Sequence, residues 1–187
     1  MNPMNSLKIK KQDAILVLVD FQERLMPVMK AGEELEATVV KLVKGCKVLG
    51  VPILITEQYP KGLGRTVPAI REALGEDYGM VEKTSFSCMG EPFFVEALEQ
   101  SGKNTVILAG IEAHVCEQQT VRDLLENGYR VFVVQDGISS RNNNDKKYAQ
   151  RRMGDSGAIG TTMEAVLFEL LEGARQPGFK EISAIVK

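Results

Sequence analysis

A carboxylate, an ammonium and a thiol occur in this sequence at or soon after the ends of apolar runs, at Asp20, Lys83 and Cys116. A carboxylate can accept the proton of a thiol, and an ammonium stabilises the thiolate that remains. Cys116 falls in the first turn of a predicted helix, where backbone N–H groups and the helix dipole favour an anion and lower the pKa of a thiol. The same N–H groups can hold a developing oxyanion. The three residue types therefore predict nucleophilic catalysis at Cys116.

Each of these residues also has a purely structural interpretation. Free cysteine is among the most buried residue types, so Cys116 taken alone is equally well explained as a small core side chain. An aspartate directly after a strand, such as Asp20, often caps a turn or the next helix. Lys83 taken alone is better explained as a surface lysine on an edge strand. The catalytic interpretation depends on the three occurring together.

The other cysteines and the single histidine are weaker candidates. Cys46 lies on the apolar stripe of a predicted helix and is expected in the core. Cys88 follows the third strand in a loop rich in Ser and Gly, where we expect it to hold the loop or line the pocket rather than to react. His114 lies two residues before Cys116, and side chains two apart on a helix do not face each other. We therefore expect His114 to line the pocket, cap the helix or be exposed.

Two further polar or glycine-rich features invite functional interpretations. Asp136 follows the fifth predicted strand, and we expect it to tie down its own loop through Ser139, Ser140 and Arg141. The glycines of the stretch 62–64 lack the strand–GxGxxG–helix context of a dinucleotide site.

The elements that must position these residues alternate along the chain. Continuous apolar runs indicate strands that are buried on both faces, and their alternation with helices predicts right-handed crossovers and a parallel sheet. The strands are expected at Ala14–Val19, Val51–Thr56, Met80–Lys83, Thr105–Ala109, Arg130–Val134 and Ala158–Thr161, and the helices at Glu34–Leu49, Pro92–Gln100, His114–Asn127, Asp145–Met153 and Met163–Leu171. The prediction is an α/β fold, a Rossmann-like three-layer α/β/α sandwich with about six parallel strands. In such sheets ligands bind at the carboxyl ends of the strands, where the candidate residues converge.

Composition limits the partners. With 187 residues, the chain suits one domain over 1–187, with 1–12 and 176–187 as peripheral tails. A net charge of -2 gives no electrostatic reason to expect a nucleic acid or an anionic membrane. No apolar run approaches the roughly 20 residues that span a bilayer. Three widely spaced cysteines are typical of a reducing cytoplasm, and one histidine excludes a His-rich metal site.

Several motifs resemble one family, the isochorismatase-like hydrolases, which are cysteine hydrolases that include nicotinamidases. The resemblance runs in order from about residue 13 to residue 171. It is carried by LVDFQ at 18–22, EKTSFS at 82–87, LAGIEAHVC at 108–116 and the segment 130–141. The stretches 56–64 and 177–182 also resemble the isochorismatase domain-containing proteins, a subgroup without a well-defined physiological substrate.

The resemblance implies a role for each residue of the set. Asp20 would be the general base, Lys83 would orient the pair and stabilise negative charge, and Cys116 would attack a carbonyl carbon, usually that of an amide, to form a thioester that water hydrolyses. A cis peptide is implied between Ile111 and Glu112, which would turn the Glu112 N–H, with that of Cys116, toward the oxyanion.

The sequence departs from the nicotinamidases where they bind a metal through an Asp and two His residues, because this chain has Glu-Gln-Tyr at 57–59. We therefore expect a metal-independent cysteine hydrolase without a cofactor, acting on a small amide or a related C–N bond. The alternatives are vinyl ether cleavage of the isochorismatase type and a non-enzymatic binding protein on the same fold. We expect a small-molecule substrate, a cytoplasmic location and a homo-oligomer. From their loop positions, the expected substrate-binding residues are Gln22, Tyr59, Phe86, His114 and Ile138.

Overall fold

The structure, a computed structural model, describes residues 8–76 and 78–187, and within them six strands form one sheet in the order β3-β2-β1-β4-β5-β6. All neighbouring strands are parallel. The strands are β1 Ala14–Val19, β2 Ile53–Gln58, β3 Gly79–Lys83, β4 Thr105–Ile111, β5 Arg130–Ser139 and β6 Ile159–Thr161. The helices are α1 Gly32–Leu49, α2 Pro60–Leu63, α3 Pro68–Leu74, α4 Pro92–Gln100, α5 Gln118–Glu126, α6 Asn143–Asp155, α7 Met163–Leu171 and α8 Phe179–Val186. The predicted fold class is confirmed.

Helices cover both faces of the sheet, which explains the unbroken apolar character of β1 and β4. Successive β1 residues point to opposite sides. Leu16 and Leu18 join a core cluster with α1, α3 and α7, whereas Ile15 and Val17 join a second cluster with α4, α5 and α6. The three layers therefore have two separate cores, and the second core contains both Cys88 and Cys116.

The strand order reverses beside β1. From β1 the chain builds β2 and β3 on one side, then crosses to place β4 on the other side, with Val19 level with Gly110. A crevice at the carboxyl ends of the strands at such a reversal is the usual ligand site of parallel sheets. Asp20 and the turn that carries Cys116 both begin at this point.

Strand β5 is longer than predicted, and this corrects the interpretation of Asp136. A register shift between Leu108 and Gly110 lets β5 continue to Ser139, so Asp136 lies within the strand. Its Oδ1 accepts a hydrogen bond of 2.8 Å from the backbone N–H of Met163, at the start of α7. Asp136 thus caps a helix instead of tying down its own loop.

The predicted peripheral tails are tied to the fold wherever the structure describes them. Segment 179–186 forms α8, which packs on α1 and α7 and buries Ile182 completely. Ile9 is also buried, and its N–H donates to Glu169 Oε1 at 2.8 Å. Residues 1–7 of the other expected tail lie outside the described residues. No helix in the described ranges is long and apolar enough to cross a membrane.

Candidate active site

Asp20 is the first residue after β1, and it is fully buried. It has a positive φ of 59°, a left-handed conformation that aspartate tolerates better than most residues. Its Oδ1 accepts a hydrogen bond of 2.7 Å from Thr56 Oγ1, and its Oδ2 accepts one of 2.7 Å from Lys83 Nζ. Both carboxylate oxygens are thus held by side chains of β2 and β3.

Lys83 ends the edge strand β3, yet its side chain turns inward and is removed from solvent. The ammonium also donates to Gln58 Oε1 at 2.7 Å and to the carbonyl oxygens of Ser85 and Phe86 at 3.2 and 3.1 Å. Burial alone would lower the pKa of Lys83, but the charge and hydrogen bond of Asp20, together with the nearby Cys88 and Cys116, outweigh it and the pKa is raised. The surface-lysine interpretation is therefore wrong, and Lys83 remains a cation.

Cys116 lies in a π-helical turn, Ala113–Glu117, that precedes α5, so the helix predicted from His114 begins with a wider turn. Only 7% of the residue is exposed. Burial, followed by the nearby charge of Asp20, raises the pKa of the Cys116 thiol, and Lys83 offsets this only in part. The lowered pKa expected from the helix start is not observed, because burial and a neighbouring anion outweigh it. Cys116 therefore rests as a thiol.

Cys88 forms a wall of the same site. Its N–H donates to Thr120 Oγ1 at 3.0 Å, and its Sγ lies 3.9 Å from the Thr56 hydroxyl that contacts Asp20. Burial raises the pKa of Cys88 to about 12, so its thiol is inert near neutral pH. Sequence reasoning missed Thr56, although it lies at the end of a strand at the same edge of the sheet.

The peptide bond between Ile111 and Glu112 is cis, as the resemblance implied. The Glu112 side chain accepts hydrogen bonds from the backbone N–H and the Nε of Arg141, at 3.0 and 3.1 Å. The backbone N–H of Val115 donates to the Glu112 carbonyl at 3.0 Å. These contacts fix the segment that leads from β4 into the turn of Cys116.

Gln22 does not line a pocket, which corrects its prediction as a substrate-binding residue. The side chain is fully buried, and its Nε2 donates to the carbonyl oxygens of Gln58 and Gly64 at 2.9 and 2.8 Å. Its Oε1 accepts from the Gln58 N–H at 2.7 Å. Gln22 therefore clamps the loop after β2.

The remaining predicted substrate-binding residues occupy different environments. Tyr59 and Phe86 are each 55% exposed on loops that follow β2 and β3. His114 Nδ1 lies 3.0 Å from Ser140 Oγ, with Nε2 4.0 Å from Asp145. Ile138 is fully buried in the second core.

The loop after β2 is also anchored through Glu57, one of the residues at the position of the nicotinamidase metal site. Its Oε1 accepts from the N–H and the hydroxyl of Thr66 at 2.7 and 2.9 Å, and its Oε2 pairs with Arg65 at 2.8 Å. Arg65 also reaches Glu82 at 2.9 Å. Burial would raise the pKa of Glu57, but these partners together lower it. Within 8–76 and 78–187, no group of three or more His, Cys, Asp or Glu side chains is arranged to hold a metal ion.

A family profile, a named relative and two solved structures are similar to this chain. The profile of the isochorismatase domain matches residues 14–165. Isochorismatase domain-containing protein 2 of Danio rerio is 37% identical over 179 residues, covering 96% of this chain and 89% of that protein. The MAR1 ribonuclease of Caenorhabditis elegans superposes with a TM-score of 0.90 at 41% identity, covering 96% of this chain and 92% of that one. YcaC of Escherichia coli, an octameric hydrolase of unknown specificity, has a TM-score of 0.87 at 26% identity, covering 91% and 85%.

Proposed function

This chain belongs to the isochorismatase family, and from that premise we propose that it is a metal-independent cysteine hydrolase that cleaves a small amide or a related C–N bond. The family resemblance carried by the sequence motifs is thereby confirmed. The observation that carries the proposal is the fully buried Asp20–Lys83 ion pair beside the Cys116 thiol. E. coli YcaC is a hydrolase of unknown specificity. The finer assignment to C–N bonds is part of our proposal.

In the proposed reaction, Asp20 takes the proton of Cys116 while the sulfur attacks the carbonyl carbon. The backbone N–H groups of Glu112 and Cys116 stabilise the oxyanion. The tetrahedral intermediate collapses, the C–N bond breaks, and the leaving nitrogen receives the proton from Asp20. Asp20 then deprotonates water, which attacks the thioester, releases the acid and returns the thiol.

The raised pKa of the Cys116 thiol suits this sequence of proton transfers. A thiol that is not ionised at rest reacts only as its proton moves to a base, which is the role of Asp20. Lys83 orients Asp20, because its ammonium donates to the carboxylate at 2.7 Å. The base is thus prepared before the substrate arrives.

Vinyl ether cleavage is less well supported. Its substrate is an acid, and an acid binds best to a cation with a free donor. The Lys83 ammonium has three protons and already has four acceptors, at Asp20, Gln58, Ser85 and Phe86. Lys83 is therefore a poor anchor for a substrate carboxylate, whereas a neutral amide needs none. A cavity of about 220 Å³ lies beside Lys83 and is lined in part by Tyr59, Thr84 and Glu91.

The test is a screen of small amides with the Cys116→Ala variant, with Cys46→Ala as the matched control in the core. We expect Cys116→Ala to lose hydrolysis by at least about 10³-fold, because no thioester can form. Cys46→Ala should retain turnover. Intact-mass spectrometry should detect an acyl adduct on the wild type but not on Cys116→Ala. Full turnover by Cys116→Ala would overturn the proposal. Cleavage of a vinyl ether substrate that is lost in Asp20→Asn and kept in Cys116→Ala would favour vinyl ether cleavage instead.

A second candidate function is RNA cleavage, because the C. elegans relative at 41% identity is a MAR1 ribonuclease. The net charge of -2 and the saturated ammonium of Lys83 provide little for a phosphate to bind. Incubation with a labelled RNA at low salt tests it directly. Cleavage of RNA that disappears in Asp20→Asn would make RNA a better supported substrate than small amides.

Light scattering on the same preparation measures the number of subunits. A homo-oligomer is expected, and E. coli YcaC is an octamer.

A further inference from the structure

Glu117 follows the proposed nucleophile and has no part in the proposed reaction. The residue is fully buried, and within the described residues neither of its carboxyl oxygens has a hydrogen-bond partner. Burying an ionised carboxylate without a partner is strongly unfavourable, and such a group takes up a proton instead.

The carboxyl group lies at the reversal of strand order. A Cβ atom built on Gly110 would lie 2.2 Å from Glu117 Oε1 and 2.7 Å from the carbonyl oxygen of Val19. The carboxyl group thus occupies the space that a glycine leaves at the end of β4, against the residue that precedes Asp20. It is therefore inside the same edge of the sheet as the catalytic set.

The ionisable groups around Glu117 come from every element that meets there. Asp20 follows β1, Lys83 ends β3, Cys88 lies in the turn after β3, and Cys116 is its own neighbour in the π-helical turn. Burial, followed by the charge of Asp20, raises the pKa of Glu117 well above its ordinary value, with Lys83 opposing. One buried cation thus faces two carboxyl groups.

We propose that Glu117 is a positioning residue of this site, held as the neutral acid so that Lys83 balances Asp20 alone. The role assigned to it rests on the proposed function, whereas its protonation state does not. If Glu117 ionised, a second negative charge would lie beside Cys116 and compete with Asp20 for Lys83. The thiol would then be harder to deprotonate, and the base would be less well held.

Alkylation of Cys116 by iodoacetamide, with mass spectrometry to assign each cysteine, tests the coupling without a known substrate. In the wild type, the logarithm of the rate should rise with pH and then bend where Glu117 ionises, because its charge opposes the thiolate. In Glu117→Gln, whose side chain cannot ionise, the logarithm of the alkylation rate should continue to rise linearly past that pH. The control Glu126→Gln, exposed at the end of α5, should keep the bend. A bend at the same pH in Glu117→Gln, or none in the wild type, would overturn the proposal.

Thermal unfolding as a function of pH tests the protonation state independently of any activity. An acid whose pKa in the folded state exceeds its ordinary value of 4.5 stabilises the fold fully below that pH and loses this contribution as pH rises toward the folded pKa. As the pH rises above 4.5, the melting temperature of Glu117→Gln should therefore increase relative to that of the wild type. A constant difference would mean that Glu117 is ionised, and would sink the inference whether or not the protein hydrolyses amides. A growing difference together with an unreactive Cys116 would keep the neutral acid and reject the nucleophile.

Discussion

The Nζ atom of Lys83 lies 2.7 Å from Oδ2 of Asp20, and neither side chain is exposed to solvent. The pair joins the edge strand β3 to the central strand β1 across β2. A buried ion pair contributes little net stability, but the removal of one partner leaves an uncompensated charge.

Replacement of Lys83 by Met should therefore lower the free energy of unfolding by about 3–5 kcal/mol, because the Asp20 carboxylate stays buried without a cation. Urea unfolding measures this. The double variant Asp20→Asn/Lys83→Met should recover part of the loss, since it removes both charges. A loss in the double variant equal to the sum of the losses in Asp20→Asn and in Lys83→Met would show that the two charges are not coupled.

Replacement of Asp20 by Asn should change two rates in opposite directions. The charge of Asp20 raises the pKa of the Cys116 thiol, so its removal should speed alkylation of Cys116 at pH 8. Amide hydrolysis should nevertheless fall, because no base remains to take and return the proton. If alkylation slows as well, Asp20 does not act on the thiol through its charge.

Replacement of Gly110 by Ala should lower stability by more than about 2 kcal/mol, as overpacking does in a dense core. Its Cβ would lie 2.6 Å from Val19 Cβ as well as 2.2 Å from Glu117 Oε1. Gly154→Ala is the matched control, because α6 leaves open space there, and it should raise helix stability by up to about 1 kcal/mol. Similar melting temperatures for the two variants would contradict the close packing of Gly110.

Replacement of Glu57 by Gln should remove a stabilisation that depends on pH. The pKa of Glu57 in the folded state lies below its ordinary value of 4.5, so its contribution is present above that pH and is lost as pH falls through the folded pKa. The melting temperature of the wild type should therefore exceed that of Glu57→Gln at pH 7, and the difference should shrink below about pH 4.5. A difference that widens on acidification would reverse the sign and reject the role of Arg65 and Thr66.

Much of the fold follows from the sequence because buried parallel strands are unbroken apolar runs. Asp20, Lys83 and Cys116 could be grouped from the sequence because each lies at or soon after the carboxyl end of a predicted strand. The inward direction of Lys83 was not predictable, because an edge strand leaves either face open to a lysine. The length of β5 was missed because polar residues follow Val134, and its continuation depends on a register shift against β4.

Glu117 escaped sequence analysis for a different reason. An acidic residue in a predicted amphipathic helix is assigned to the solvent face, and an α-helix would have set its direction by the 3.6-residue period. The turn Ala113–Glu117 is π-helical, which changes that direction and points the carboxyl group inward. Gln22 was likewise assigned to the pocket from its position in a loop, whereas backbone groups distant in sequence occupy its amide.

Gln22 grips the loop after β2 only through main-chain atoms, those of Gln58 and Gly64. Every amino acid except proline, which lacks the N–H, supplies the same backbone N–H and C=O groups. Side chains such as Tyr59 and Lys61 can therefore be exchanged over evolutionary time without loosening this attachment. Descendants of one ancestral chain can in this way diverge in the molecules they select while the frame that carries the thiol is inherited intact.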